Sequence, residues 1–179
     1  MKCKICGNEK ISVVYNDKIR DGRLEHYTDS DVEIYKCDHC KVMWHEPIMN
    51  LEQYYESAEY RKSLEGSTDE ETFYRLHDKE TIEKFRYTGT EIYRNKVTAD
   101  IGCGCGAFLD YINGVSSSVI AIEPSQFYRN VMDRKGFYTY PYAAEALKKW
   151  KNKVDVVTSF DVIEHVEKPC LLYTSDAAD

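Results

Sequence analysis

One stretch constrains this chain more than any other: Val97-Thr98-Ala99-Asp100-Ile101-Gly102-Cys103-Gly104-Cys105-Gly106-Ala107-Phe108. An apolar run that suits a strand ends in three glycines at alternate positions, and helix-compatible residues follow. Glycine lets a backbone turn sharply and lie close to whatever it binds. The first turn of the following helix has N–H groups with no partner inside the helix, and they point toward the same place. Glu123 closes the next apolar run about 20 positions on, the spacing at which an acidic residue meets ribose hydroxyls. The pattern predicts a strand, turn and helix built to hold a nucleoside-bearing cofactor.

The rest of residues 96–169 continues the alternation. Val97–Ile101 reads as a first strand and Ala107–Ile112 as a helix stopped by Asn113-Gly114. Val119–Ile122 is an uninterrupted apolar run, as in strands buried on both faces. Ser125 is placed to cap a helix whose Phe127, Tyr128, Val131 and Met132 form one face, and Gly136 ends it. Phe137–Tyr140 gives a third strand, Ala144, Leu147 and Trp150 a third helix, and Val154–Phe160 a fourth strand. Repeated β-α units predict an α/β fold with a parallel sheet, and the ligand beyond the carboxyl ends of its strands.

Residues 1–48 obey different rules. Cys3-Lys4-Ile5-Cys6 and Cys37-Asp38-His39-Cys40 are two Cys-x-x-Cys pairs, each able to wrap two thiolates around one ion. Together they complete a four-sulfur tetrahedral site for structural zinc, with a rubredoxin-like iron site as the rival. Gly7 suits the tight turn after a metal loop. Between the pairs lie two β-rich pieces, Ile11–Tyr15 and Val32–Lys36, separated by a turn signal at Asp21-Gly22. The layout resembles a zinc ribbon. So small a lobe has little core, and the metal supplies much of its folding free energy. A closed site has no open position, so no chemistry is assigned to it.

Residues 49–95 read as a helical connector. Thr68 and Glu71 have capping-box spacing before a helix over about 69–86 that ends near Gly89. Its apolar residues Phe73, Leu76, Ile82 and Phe85 are only roughly periodic. The dense tyrosines, among them Tyr54, Tyr55, Tyr60, Tyr74, Tyr87 and Tyr93, read as packing of the connector against its neighbours, with covering of a substrate as the alternative.

Two cofactor classes fit the glycine loop. Gly102-x-Gly104-x-x-Ala107 passes as a degenerate dinucleotide fingerprint, which would make the chain an NAD-dependent oxidoreductase. The loop with Asp100 before it also resembles the first motif of class I S-adenosylmethionine-dependent methyltransferases. A carboxylate two residues before the first glycine attracts the ammonium of that cofactor's methionine part and repels a pyrophosphate. The segment Asp155–Val166 is similar to the fourth-strand region of small-molecule methyltransferases, ubiquinone-type O-methyltransferases included. Ribbon, tyrosine-rich connector and cofactor domain in this order resemble the zinc-ribbon methyltransferases associated with sugar and cell-surface polysaccharide biosynthesis.

The resemblance implies a Rossmann-like sheet, of which residues 96–169 hold the first four of seven strands. It implies a cofactor held by Asp100, Gly102, Gly104, Gly106 and Glu123, with Pro124 against adenine and Phe160 beside the methionine part. The acceptor it implies is a small polar molecule such as a nucleotide-linked sugar. His165, just past the fourth strand, stands where a general base is needed, or else caps and orients its loop. Asp161, Glu164 and His165 match positions that bind a divalent cation in some relatives; a structural role is the preferred reading. Cys103 and Cys105 read as small loop residues rather than nucleophiles. A rival outside enzymology is a binding module in which the ribbon docks a partner and the cofactor fold is vestigial.

A net charge of -7 argues against a broad nucleic-acid surface. No apolar run approaches the roughly 18 residues of a membrane span, and the first residues lack a signal-peptide core. These features, with metal-type cysteine pairs, suit the cytoplasm. Residues 170–179, Cys170-Leu171-Leu172-Tyr173-Thr174-Ser175-Asp176-Ala177-Ala178-Asp179, resemble the in-frame translation of a sequencing-library adapter. The expectation is therefore a fragment of a longer enzyme, weakly active or inactive by itself.

Overall fold

A computed structural model of the chain describes residues 1–21, 25–48, 50–57, 60, 62, 65–67 and 69–166. Gly22 of the expected turn, Thr68 of the expected capping box and the 170–179 segment lie outside the described residues. Glu52–His165 form one compact unit, and Met1–Leu51 belong to another.

The N-terminal unit carries an antiparallel sheet in the order β1-β2-β3: β1 Ile11–Asp17, β2 Val32–Cys37 and β3 Met43–Trp44. Ile11 stands opposite Cys37 and Asp17 opposite Val32, with a register shift between Val13 and Tyr15. The two cysteine loops fold alike. Gly7 N–H donates to Cys3 O and Lys41 N–H to Cys37 O, both at 3.0 Å. Gly7 has φ 70° and Lys41 φ 65°, so the first loop uses glycine for its left-handed turn and the second holds a lysine there. Val13, Val14 and Tyr15 are exposed, and among the described residues of this unit only Cys3, Cys37 and Asp21 are buried.

The second unit takes in α1 Leu51–Glu56 from its second residue on, and then α2 Glu70–Thr88. Strands and helices then alternate: β4 Val97–Ile101, α3 Ala107–Asn113, β5 Ser118–Ile122, α4 Gln126–Arg134, β6 Tyr138–Tyr140, α5 Ala143–Trp150 and β7 Val156–Ser159. A 3₁₀ turn, Ile163–His165, follows. The four strands are parallel and lie in the order β6-β5-β4-β7. The expected α/β fold is therefore present. Alternation along β5 fills both faces. Val119 and Ala121 pack with Leu109, Ile112 and Met132 of α3 and α4. Ile120 and Ile122 pack with Ala99, Ala146 and Trp150, so α5 covers the other side.

Three local expectations are corrected. Helix α2 starts at Glu70, and its cap is Asp69, whose carboxylate accepts the Thr72 N–H at 2.8 Å. That bond satisfies the orphan donor assigned to Thr68, one residue later. Ser125 occupies the N-cap position of α4 without a side-chain capping bond; its own N–H donates to Glu123 Oε1 at 2.9 Å. Phe127 is exposed, so the buried face of α4 is Tyr128, Val131 and Met132.

Candidate functional site

Strand β4 lies between β5 and β7, so the chain leaves it toward one neighbour and later returns to the other. This is the topological switch point of the sheet, where a crevice opens beyond the strand ends. A cavity of about 600 Å³ sits there, within the range of small-molecule and cofactor sites. Asp100, Gly102, Gly104, Phe160 and His165 all line it, together with Phe73 and Lys84 of α2.

Asp100 ends up in the floor because its position on β4 puts it opposite Thr158 of β7. The Thr158 hydroxyl donates to Asp100 Oδ1 at 2.7 Å. The side chain is almost fully buried. Burial pushes its carboxyl up to about 7; the Thr158 bond and the Lys84 charge pull the other way, and Glu123 adds to the rise. A carboxylate so poorly solvated is suited to a cation that brings its own charge into the cavity.

The loop is held by Glu123 and by two side chains that lie on its glycines. Glu123 Oε2 accepts Gly104 N–H and its Oε1 accepts Ser125 N–H, both at 2.9 Å. Gly102 has φ 74°, and a Cβ there would meet Val162 Cγ2 at 2.3 Å; Gly104 has φ 56°, and a Cβ there would meet the Phe73 ring at 2.5 Å. Gly106, with φ 77°, turns the chain into α3, and a Cβ there would lie 3.2 Å from Met132. Gly102 and Gly104 therefore face the cavity with Val162 and Phe73 close over them, while Gly106 faces the core. Pro124 is partly buried, and its carbonyl accepts the Arg129 guanidinium. Cys103 and Cys105 are buried, and burial raises the Cys103 thiol well above its ordinary range, which disfavours a thiolate there.

Beyond β7, Phe160 packs edge-on against Phe108 at 4.9 Å, with Lys84 Nζ 5.1 Å from its ring centre. Lys84 also pairs with Glu80 at 2.5 Å and Asp161 at 2.7 Å. Burial alone would lower the Lys84 ammonium, but these two carboxylates outweigh it and hold it up; Lys84 in turn holds Asp161 down. Asp161 is thus committed to an ion pair. Among the described residues, Asp161, Glu164 and His165 do not converge into a metal-binding group. His165 Nδ1 lies 2.9 Å from the Tyr55 hydroxyl. Thr158, Phe73, Lys84, Val162 and Tyr55 escape a reading of the sequence, because their partners lie far away along the chain.

In the N-terminal unit the sulfurs of Cys3, Cys6, Cys37 and Cys40 all lie within 4.8 Å of one another. Cys3 with Cys40, and Cys6 with Cys37, stand 3.6 Å apart. A tetrahedral ion with sulfur at about 2.3 Å sets its ligands roughly 3.7 Å apart, so the four thiols fit one zinc-sized ion. Burial pushes the Cys3 thiol up, but the N–H groups of Cys6 and Ile5 outweigh it and bring it to about 6. The Cys37 thiol is lowered likewise, whereas at Cys40 the Val42 N–H is outweighed by burial and the neighbouring sulfurs, which push the thiol up to about 12, so each loop holds one cysteine that favours the thiolate a metal takes.

A parallel sheet with a glycine loop, a buried carboxylate and a cavity at its switch point defines an α/β protein of the nucleoside-cofactor class. Residues 73–175 match a family model described as a methyltransferase domain, which is more than half the chain. The chain belongs to that methyltransferase family and has a general role in methyl transfer. A comparison with curated proteins finds no match. Among the described residues, no helix is long and apolar enough to cross a membrane.

Proposed function

We propose that this protein transfers a methyl group from S-adenosylmethionine to a small polar acceptor. The observation that carries the reading is the placement of Asp100: a nearly buried carboxylate on the cavity floor, beside the backbone of Gly102 and Gly104. A dinucleotide would bring a pyrophosphate to this loop, and Asp100 would repel it. The S-adenosylmethionine ammonium finds its counter-charge there.

The group supplies, when bound, a methyl carbon made electrophilic by a sulfonium. The chain's own residues do the rest. Asp100 holds the ammonium, and Phe160 borders the methionine part. Gly102 and Gly104 let the backbone come close, and Gly106 starts the helix whose N-terminus faces the site. Glu123 does not line the cavity and braces Gly104 and Ser125 with its two carboxylate oxygens; we assign the ribose to the acceptor positions these bonds leave. Pro124 offers an apolar surface to adenine. His165 takes the proton that a hydroxyl or amine acceptor must lose. Alignment of acceptor and methyl in the cavity supplies much of the rate. The order of ribbon, connector and cofactor fold supports a nucleotide-linked sugar or polysaccharide precursor as the acceptor. The four cysteines hold a structural zinc, and metal-type cysteine pairs suit a cytoplasmic protein.

Calorimetric titration with S-adenosylhomocysteine and with NAD tests the reading. Binding of the first and not the second is expected, with affinity lost by at least about tenfold in Asp100→Ala, the loss of roughly one charge-assisted contact. Binding of NAD, or equal affinity in the variant, would overturn it.

A further inference from the structure

The two oxygens of Asp100 have different surroundings. Parallel register sets Asp100 opposite Thr158, with Ala99 opposite Val157 and Ile101 opposite Ser159 to either side, so the ladder fixes the height at which the two side chains meet. The Thr158 hydroxyl donates to Asp100 Oδ1 at 2.7 Å. It also lies 3.4 Å from Ala99 O, but a hydroxyl has one proton, and the shorter bond to the carboxylate takes it. Among the described residues no hydrogen bond reaches Oδ2. Yet Asp100 is only 3% exposed, and it lines the cavity. A carboxylate oxygen so far from bulk water needs a donor, and here a ligand in the cavity can bring one.

We propose that Thr158 is a positioning residue for the cofactor: by holding Oδ1 in the sheet, it turns Oδ2 of Asp100 toward the cofactor's ammonium. This rests on the reading of Asp100 as the counter-charge of that ammonium. Thr158 itself does not line the cavity, so it acts through Asp100. It is buried and β-branched, and its side chain is therefore stiff about χ1. A stiff donor on a fixed ladder holds the carboxylate plane before the ligand arrives, so little rotational freedom is lost on binding. The bond also works against the burial that raises the Asp100 carboxyl, and so favours the charged form that an ammonium needs. Valine has the same branched shape without the hydroxyl; serine keeps the hydroxyl without the branch.

Two ligands test this on the whole chain by calorimetry near pH 8: S-adenosylhomocysteine, and the same molecule with hydrogen in place of its amino group. Wild type is expected to bind the first at least about tenfold more tightly, the effect of one charge-assisted contact. Thr158→Val is expected to cut that ratio about fivefold, the effect of one hydrogen bond, and Thr158→Ser to keep it. A merely structural role would weaken both ligands alike and leave the ratio unchanged. The ratio is also insensitive to the fraction of chain that is folded, and Thr158→Ala, which cannot overpack the strand, serves if the valine variant does not fold. A wild-type ratio in the valine or alanine variant, or a serine variant that loses as much as valine, would overturn the proposal. The underlying reading fails differently: equal affinity of wild type for the two ligands would remove Asp100 as the ammonium's partner, and Thr158's role with it.

Discussion

Asp100 shows what a single buried carboxylate does to the balance of the molecule. Its carboxyl is held up at about 7, against 3.8 for an ordinary aspartate, chiefly by burial. The folded chain therefore binds a proton at Asp100 that the unfolded chain has already lost, throughout the window between about pH 4 and 7. Stability from this group is fully present below that window and falls as pH rises through it. At about 1.4 kcal/mol for each pH step, the loss approaches roughly 4 kcal/mol by pH 8. Asp100→Asn removes the slope. Compared with wild type, the Asn variant gains about 3 kcal/mol between pH 4.5 and 8, read from urea midpoints at the two values. Parallel pH curves for the two proteins would show that the carboxylate is not desolvated. The sign is opposite to that of a salt-bridged aspartate. A cationic ligand on Asp100 would cancel the penalty, which gives the site a reason to keep so costly a residue.

At the scale of elements, the loops that carry the site are locked to one another. Gly102 follows β4 and Val162 follows β7, and nothing larger than a hydrogen fits between them. Gly102→Ala is expected to destabilise on two counts: about 1 kcal/mol for a left-handed backbone, and a clash that pushes the segment from Phe160 to His165 away. Adding Val162→Ala relieves only the clash. The double variant should recover at least about 1 kcal/mol relative to the sum of the singles, measured by denaturant unfolding; simple additivity would mean that the loops do not touch. The same elements show what was legible from sequence. Val97–Ile101 stands out because the glycine loop ends it, and Val119–Ile122 because it is an apolar run stopped by Glu123-Pro124; β4 and β5 follow them closely. Asp100 and the glycines are readable because motif and strand end coincide. Helix α2 is readable as a helix but not as part of a site. Its cavity-lining stripe is Phe73, His77, Glu80, Thr81 and Lys84, and four of the five are polar. A search for apolar periodicity finds instead Leu76, which is exposed. The stripe is polar because it lines a cavity, so the weak pattern was the signal. Partners such as Tyr55 for His165 and Thr158 for Asp100 carry no local mark, since only the fold brings them together.

At the scale of the whole molecule, two units are stabilised by different physics. The Glu52–His165 unit has apolar clusters on both faces of its sheet, built from residues such as Leu109, Ile112, Ile120 and Met132. Among the described residues, the N-terminal unit has no comparable core: β1 is largely exposed, and the buried apolar residues are two of the four cysteines. The conformational entropy of ordering β1, β2 and β3 must be offset by something other than apolar burial. A four-thiolate zinc site, with binding free energies of about 10–16 kcal/mol in small zinc domains, is large enough. With zinc on the four cysteines as proposed, removing it should therefore melt one unit and spare the other. Hydrogen exchange on the whole chain, with and without a strong chelator, is expected to show amides of β1 to β3 losing protection while those of β4, β5 and β7 keep it. Cys37→Ser should reproduce the chelator's effect without any added reagent. Protection of β2 that survives both treatments would mean that the strands hold themselves together, and that the four sulfurs serve something other than folding.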